Sequence, residues 1–163
     1  MSSLLSTLGL RAPTANYGPA FLGFHFYFAY GLLSSRTLKQ FYGLDHNESP
    51  REDLVKYGDA AVRNGKITAA QLRMLRRNES AHANAVENFT LLVASILFAS
   101  HAGVEAATIN RAALSYTVAR ICYAAAYILI EHRQWSQLRG VSWHWGNLSC
   151  IFLLWKAGQK LSA

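Results

Sequence analysis

The stretch that decides the fold lies in the middle of the chain. Residues 76–100 have the sequence RRNESAHANAVENFTLLVASILFAS, which is basic and polar at first and then apolar. Just before it, Thr68 and Gln71 have the spacing of a capping box, in which two side chains satisfy backbone amides at a helix start. We therefore predict a helix over about 68–101 that begins in water and ends across a bilayer, because about 20 apolar residues span the hydrocarbon.

Three further segments are apolar enough to accompany this helix. Residues 17–33 contain no Lys, Arg, Asp or Glu, and residues 106–130 contain no charged residue except Arg111 and Arg120. The third of these segments is residues 140–161, with tryptophans near both ends, as expected for interfacial anchors. The predicted fold is all-α, an integral membrane four-helix bundle in a single domain over residues 1–163. Its helices are predicted over about 17–36, 68–101, 106–132 and 140–160, with a polar cytoplasmic loop over about 37–67 that has room for a short helix near 51–62.

The composition limits the class of protein. The chain is 52% hydrophobic and 15% charged, with a net charge of +7. This balance favours a membrane protein, although a soluble helical bundle stays an alternative. No zinc-ligand spacing, RNA-binding aromatic signature or basic arm is present, so nucleic acid is not an expected partner. Cys122 and Cys150 lie far apart in apolar segments, and the histidines have no ligand spacing, so no metal site is predicted.

Basic residues predict the orientation in the membrane, because they accumulate in cytoplasmic loops. Many of them lie over residues 36–77, and Arg133 and Arg139 lie between the last two helices. Both termini are therefore expected to face away from the cytoplasm. The expected membrane is that of the endoplasmic reticulum, with the mitochondrial outer membrane as an alternative.

Ionisable residues within the apolar segments are the candidates for chemistry. A carboxylate at bilayer depth, as at Glu87, costs on the order of 2.5–3.5 kcal/mol, so we expect it to face the bundle interior and to have a partner. Residues three or four positions apart share a helix face, and two polar faces result. They consist of Arg77, Ser80, Asn84 and Glu87 on the second helix and of Tyr116, Arg120, Tyr123 and Tyr127 on the third.

Two explanations of these faces stay open. In one, Glu87 and Arg120 form a buried ion pair that holds two helices together, with Asn84 and Tyr123 adding hydrogen bonds. In the other, the faces bind a small polyanionic ligand, because guanidinium groups bind carboxylates bidentately. The second is favoured by an excess of arginines expected at the same membrane face, namely Arg36, Arg73, Arg76, Arg77 and Arg139.

The sequence also resembles a known family at two places. The second-helix stretch RRNESAHANAVENF, residues 76–89, resembles the signature of the membrane-associated proteins in eicosanoid and glutathione metabolism, the MAPEG family. The third-helix stretch ARICYAAAYI, residues 119–128, resembles that family's Arg-x-x-aromatic-x-x-x-Tyr pattern. The resemblance covers the chain from Tyr17 to the end and is of the microsomal glutathione transferase type.

The resemblance implies a homotrimer in the lipid bilayer, with glutathione at each subunit interface near the cytoplasmic side. It implies a glutathione-dependent transferase or peroxidase that acts on lipophilic electrophiles. Arg139 matches the catalytic arginine that activates the thiol, with Arg133 as an alternative, and Ser34 or Ser35 is a candidate hydroxyl donor. The residues that the resemblance assigns to glutathione binding are Arg36, Arg77, Asn84, Glu87, Arg120, Tyr123 and Tyr127.

The chain departs from the family pattern on the second helix. Several eicosanoid-making members have an arginine where this chain has Ser80, and often another basic residue at the position of Ala83. The departure disfavours an eicosanoid substrate, while conjugation, peroxide reduction and isomerisation remain open as reaction types. It also keeps open an alternative function, that of a non-catalytic MAPEG-like membrane subunit with an interaction or structural role.

Overall fold

The computed structural model describes residues 14–162, and every regular element within them is helical, as predicted. The single domain expected over residues 1–163 includes residues 1–13 and 163, which lie outside the described residues. The helices are α1 (Gly18–Tyr27), which continues into a π-helical turn (Phe28–Leu32), α2 (Ser35–Phe41), α3 (Asp53–Lys56), α4 (Gly58–Arg63), α5 (Ala69–His101), α6 (Ala106–Leu129) and α7 (Gln137–Leu161).

Helix α5 begins and ends where the sequence provides capping groups. The N–H of Thr68 donates to Gln71 Oε1 at 2.7 Å, and the N–H of Gln71 donates to Thr68 Oγ1 at 3.2 Å, which confirms the predicted capping box. At the other end Gly103 has a φ of +72°, and the N–H of Val104 donates to the carbonyl of Ala99 at 2.9 Å. This Schellman arrangement favours a residue without Cβ at position 103 and leads the chain directly into α6.

The first helix is shorter than the predicted 17–36 because a π-helical turn ends it. Two side chains of α5 bind carbonyls at this turn. His82 Nδ1 donates to the carbonyl of Ala29 at 3.0 Å, and Asn78 Nδ2 donates to the carbonyl of Leu33 at 3.3 Å. A carbonyl can only accept, so His82 carries its proton on Nδ1. The end of the first helix is thereby held against α5.

The core lies between α5, α6 and α7, where small residues let the helices approach closely. Ala99 on α5, Ala113 on α6 and Ala157 on α7 are 0%, 1% and 2% exposed. Tyr116 on α6 adds a hydrogen bond from its hydroxyl to the carbonyl of Asn88 on α5 at 3.2 Å. Close packing and interhelical hydrogen bonds of this kind are what hold helices together where lipid replaces water.

The polar segment over 37–67 is more ordered than predicted, since α2, α3 and α4 fold it onto the start of α5. Leu54 of α3 is buried in one apolar cluster with Leu72 of α5. The ammonium of Lys39, which is 1% exposed, lies 3.1 Å from the carboxylate of Glu79 on α5. The sequence pattern did not predict this packing because its few buried residues are scattered among charges without a helical period.

Two of the helices, α5 and α6, are each long and apolar enough to cross a bilayer. Helix α1 with its π-helical turn is shorter than the roughly 20 residues that the hydrocarbon requires. The last helix contains glutamine, histidine, asparagine and lysine among its apolar residues. The third predicted helix ends at Leu129 rather than near 132, and the fourth begins at Gln137 rather than near 140.

Candidate functional site

A groove of about 260 Å³ lies where α5, α6 and the start of α7 meet. Asn84 lines it from α5, Tyr123 and Tyr127 line it from α6, and Arg139 lines it from α7. The fold therefore brings four of the predicted site residues to one place from three helices. All four are polar or amphipathic, so the groove offers hydrogen-bond donors and a positive charge.

Arg120 lies beside this groove, with 2% of its surface exposed. Its Nη2 donates to Oδ1 of Asn84 at 2.8 Å, and its Cζ lies 4.4 Å from the centre of the Tyr123 ring. Because arginine has no acceptor, this bond determines the orientation of the Asn84 amide and leaves its NH₂ group available to donate. Nη1 of Arg120 is buried without a hydrogen-bond partner in the part of the chain that the structure describes.

Arg139 enters the groove from the first turn of α7. Its Cζ lies 4.5 Å from the centre of the Tyr127 ring, a distance at which a cation is attracted to an aromatic face. Gly140 and Trp143 complete the lining of the groove. Trp143 was not among the site residues predicted from the sequence, although its position four residues after Arg139 places both on one helix face.

The other arginines of the predicted cluster have carboxylate partners within the chain. The pairs are Arg36 with Asp45, Arg76 with Asp59, and both Arg73 and Arg77 with Glu131. Arg139 forms no ion pair within residues 14–162. Of the five arginines, it is thus the one whose charge the described residues leave uncompensated.

In two of these pairs, hydrogen bonds from arginine hold the carboxylate in its ionised form. The guanidinium of Arg36, 2.6 Å from Asp45, lowers the pKa of that carboxyl below its usual value. The hydrogen bond from Arg73 likewise lowers the pKa of Glu131. Arg77 also donates from Nε to the carbonyl of Ile128 at 3.1 Å, near the end of α6, where helix carbonyls lack partners.

Glu87 does not face the interior of the chain, contrary to the prediction. The buried face of α5 passes through Asn88 and Leu92, and Glu87 is turned about 100° from Asn88 on a helix. Its side chain is exposed and forms no ion pair within residues 14–162. A buried ion pair of Glu87 with Arg120 is therefore wrong for the single chain, in which Arg120 binds Asn84 instead.

The remaining candidates lie outside the groove of one chain. Arg36, Ser34 and Ser35 follow the first helix and do not line it. Arg133 is exposed in the connection between α6 and α7, whereas Arg139 lines the groove. Of the two arginines considered for thiol activation, the geometry favours Arg139.

Comparison with known proteins bears on the whole chain. No curated protein and no solved structure matches it. The sequence model of the MAPEG family matches residues 15–159, which confirms the resemblance found on the second and third long apolar segments. Because this match covers nearly the whole sequence, the protein belongs to the MAPEG family, the membrane-associated proteins in eicosanoid and glutathione metabolism.

Proposed function

We propose that this chain is a membrane-bound glutathione transferase or peroxidase of the microsomal type, acting on lipophilic electrophiles. The observation that carries the proposal is the uncompensated guanidinium of Arg139 in the groove with Asn84, Tyr123 and Tyr127. A guanidinium that the described residues do not neutralise favours an anionic ligand. Membership of the MAPEG family makes glutathione the expected one.

The donors around the groove fit the chemical groups of glutathione. The free amide NH₂ of Asn84 and the hydroxyls of Tyr123 and Tyr127 donate to carboxylate and peptide oxygens. Arg120 acts on the ligand through Asn84. Its Nη2 donates to Asn84 Oδ1 at 2.8 Å and so fixes the orientation of the amide that binds the ligand. Glu87, exposed three residues after Asn84, is suited to the ammonium group of the tripeptide.

A second subunit is needed to complete this site. Pockets for small molecules usually have volumes of about 300–1,000 Å³, whereas the groove of one chain has about 260 Å³. Arg36, Arg77 and Glu87 lie outside it, at surfaces that a neighbouring copy can approach. We therefore propose a homotrimer of four-helix subunits in the bilayer, with α1 and α7 as further membrane helices and Arg36 and Arg77 binding carboxylates across the interface.

Arg139 is the proposed thiol-activating residue. Bound glutathione supplies a thiol with an ordinary pKa of about 8.5. As thiolate it breaks a C–O bond of an epoxide or adds to an activated alkene, and the resulting alkoxide or carbanion takes a proton from water. With a hydroperoxide it takes the outer oxygen as the O–O bond breaks and alcohol leaves, and a second glutathione converts the sulfenic acid into the disulfide and water. A guanidinium within about 4–6 Å favours the thiolate, and each unit by which the pKa falls corresponds to about 1.36 kcal/mol. Tyr127 orients Arg139 through their contact at 4.5 Å. Ser34 or Ser35, which lies outside the groove of one chain, is a candidate hydroxyl donor to the sulfur from a neighbouring copy.

The proposed location is the membrane of the endoplasmic reticulum, with the site near the cytoplasmic side, and the mitochondrial outer membrane is the alternative. Basic residues over 36–77 and at Arg133 and Arg139 support this orientation. The bilayer brings lipophilic substrates to the groove, because such compounds partition from water into apolar surroundings.

One observation favours a second candidate, a non-catalytic membrane subunit. At Ser80 the hydroxyl donates to the carbonyl of Arg76 at 3.2 Å, within its own helix. The position at which eicosanoid-making relatives have an arginine thus presents no cation. A subunit of this kind would interact with other membrane proteins rather than turn over a substrate.

A titration and an activity screen of the purified full-length chain in detergent test the proposal. Glutathione binding is measured by calorimetry, and three reactions are assayed: conjugation of 1-chloro-2,4-dinitrobenzene, reduction of cumene hydroperoxide and isomerisation of a lipid endoperoxide. We expect saturable binding and turnover in at least one reaction. Absence of turnover, with or without glutathione binding, supports the non-catalytic subunit, and absence of glutathione binding contradicts the transferase or peroxidase.

A further inference from the structure

The exposed face of α6 carries a lone positive charge. The helix contains two charged residues, Arg111 and Arg120, of which Arg120 is buried and Arg111 is exposed. The other large side chains exposed on α6 are apolar, as at Leu114, Val118 and Ile121, which are 56%, 41% and 46% exposed. A guanidinium on an apolar face next to lipid is expensive unless an anion or water compensates it.

No carboxylate side chain of the same chain pairs with Arg111. Within residues 14–162 the arginine forms no ion pair. Residues 1–13 contain neither aspartate nor glutamate, so they cannot supply one. An anion that pairs with Arg111 therefore comes from outside this chain, and without one only water compensates the charge.

Two grooves lie on either side of Arg111, and both are lined by it. The first, of about 560 Å³, lies between α1 and α6 and includes Phe21, Phe24 and Leu114. The second, of about 430 Å³, lies between α6 and α7 and includes Leu148. At about 100° per residue, the α6 residues of the first groove lie to one side of Arg111 and those of the second lie to the other.

The depth of Arg111 in α6 suits a headgroup. It follows the first residue of the helix by five positions, or about 7 Å, and a long arginine side chain reaches the membrane surface from that depth. Tyr17 is held at the same level, because its N–H donates to Asn110 Oδ1 at 2.9 Å and Asn110 Nδ2 donates to the carbonyl of Ala15 at 2.9 Å. Tyrosine is enriched at this level of membrane proteins.

We infer that Arg111 binds the phosphate of a two-chain phospholipid whose acyl chains lie in the two flanking grooves. A phospholipid has one anionic phosphate between two apolar chains, and α6 presents one cation between two grooves. The first groove is almost wholly apolar, and the second has the apolar side chains of Leu148 and Phe152 beside the hydroxyls of Ser115 and Ser149. Guanidinium binds phosphate with two parallel hydrogen bonds. A single-chain acid fills one groove and leaves the other empty, so the paired grooves favour the two-chain lipid. This site is separate from the groove at Arg139.

The test measures lipid binding to the delipidated full-length chain by native mass spectrometry. Dioleoyl phosphatidylglycerol is the probe, dioleoylglycerol lacks the phosphate, and lysophosphatidylglycerol lacks the second chain. We expect saturable binding of the probe and at least about tenfold weaker binding of the other two. Dioleoylglycerol loses the hydrogen bonds to the charged phosphate, and lysophosphatidylglycerol loses the apolar burial of one acyl chain. Glutathione is left out of the measurement, so the result is independent of the proposed function.

Three variants separate the parts of the inference. Arg111→Gln removes the charge and is expected to weaken probe binding at least about tenfold. Arg63→Gln, an equal loss of charge at an exposed arginine of the polar segment, is the matched control and is expected to bind as the wild type does. Ala20→Trp fills the first groove, which Ala20 lines, and weakens binding while Arg111 remains in place.

Several outcomes overturn the inference. Equal affinity of Arg111→Gln and the wild type shows that the guanidinium does not bind the phosphate. Equal affinity for the one-chain lipid shows that the two grooves do not act together. Binding that does not saturate shows only the unspecific lipid that surrounds any membrane protein. If Arg111→Gln fails to fold, unchanged lipid binding by Ala20→Trp still contradicts the proposed position of an acyl chain in the first groove.

Discussion

The arginines of this protein differ in what compensates their charge, and that difference points to the site. Arg36 has the carboxylate of Asp45 at 2.6 Å. Arg120 has an amide oxygen instead, although burial of an uncompensated cation costs several kcal/mol. Arg139 has an aromatic ring at 4.5 Å and no carboxylate among the described residues. Polarity alone does not separate these three residues in the sequence, because their partners lie elsewhere in the chain, on other helices or in the segment after α2.

The role of Arg139 leads to a prediction about turnover and pH. In Arg139→Ala the thiol keeps its ordinary pKa of about 8.5, so only about 3% is thiolate at pH 7, and conjugation falls up to about thirtyfold. Glutathione is expected to remain bound, with a lower affinity at pH 7 because the guanidinium no longer stabilises the thiolate, and activity is expected to recover as the pH approaches 9.5. The measurement is a pH–rate profile with calorimetry. Arg133→Ala is the matched control. Identical pH–rate profiles of Arg139→Ala and the wild type would refute the role of Arg139 in thiol activation.

The hydrogen bond between Arg120 and Asn84 leads to a second prediction, which separates stability from binding. Asn84→Leu leaves the buried Nη2 without an acceptor, at a cost of about 1–3 kcal/mol, so the thermal midpoint falls by several degrees. Asn84→Asp keeps an acceptor and is expected to unfold at or above the wild-type temperature. Its added negative charge repels ligand carboxylates and weakens glutathione binding about tenfold. Equal stability of Asn84→Leu and the wild type would show that the bond contributes nothing.

The ion pair between Arg36 and Asp45 leads to a prediction about thermal stability at low pH. Arg36 lowers the pKa of Asp45 below its usual value of 3.8, so the pair stabilises the fold above that pH and loses this effect as the pH falls through the lowered value. Asp45→Asn is therefore expected to have a lower thermal midpoint than the wild type at pH 7. The two midpoints converge below pH 3.8. A difference that persists unchanged in acid would contradict the pair.

At the scale of elements, α5 and the segment before it contrast in how well sequence predicts them. The ends of α5 are specified locally, by the capping box at Thr68 and by Gly103. The packing of α2 to α4 depends on contacts such as that of Lys39 with Glu79, which lie 40 positions apart. Local capping patterns are visible in a sequence, whereas contacts at long separation are not.

The turn at Gly103 leads to an element-scale prediction. Gly103→Ala places a Cβ on a residue with a φ of +72°, which costs about 1 kcal/mol or more and lowers the thermal midpoint. Gly158→Ala is the matched control, because Gly158 lies inside α7 with open space where a Cβ would be. That control is expected to be neutral or to stabilise the helix by up to about 1 kcal/mol. Equal effects of the two substitutions would contradict the turn.

At the scale of the whole molecule, the proposed assembly accounts for the position of Glu87. An exposed carboxylate on a helix that is long and apolar enough to cross a bilayer is costly next to lipid. In the proposed trimer a neighbouring subunit separates Glu87 from lipid, and the ammonium group of bound glutathione compensates its charge. The groove of about 260 Å³ is likewise too small to enclose a tripeptide by itself.

The assembly leads to a prediction about mass and stoichiometry. Light scattering of the purified protein, corrected for detergent, is expected to give the mass of three chains, and glutathione binds only to this species. Glu87→Gln retains the trimer and weakens glutathione binding, because the amide no longer attracts the ammonium group. A monomer that binds glutathione with undiminished affinity would contradict both the assembly and the shared site.

The sequence by itself determined the helical class, the start of α5 and the family, because capping residues, apolar segments and the pattern around Asn84 and Arg120 are local in the chain. Only the tertiary structure decided which polar residues meet. It turned Glu87 outward, gave Arg120 the oxygen of Asn84, and left Arg139 in the groove. The physical reason is that a helical period shows which residues share a face, whereas the rotation of each helix depends on how its small residues pack against its neighbours.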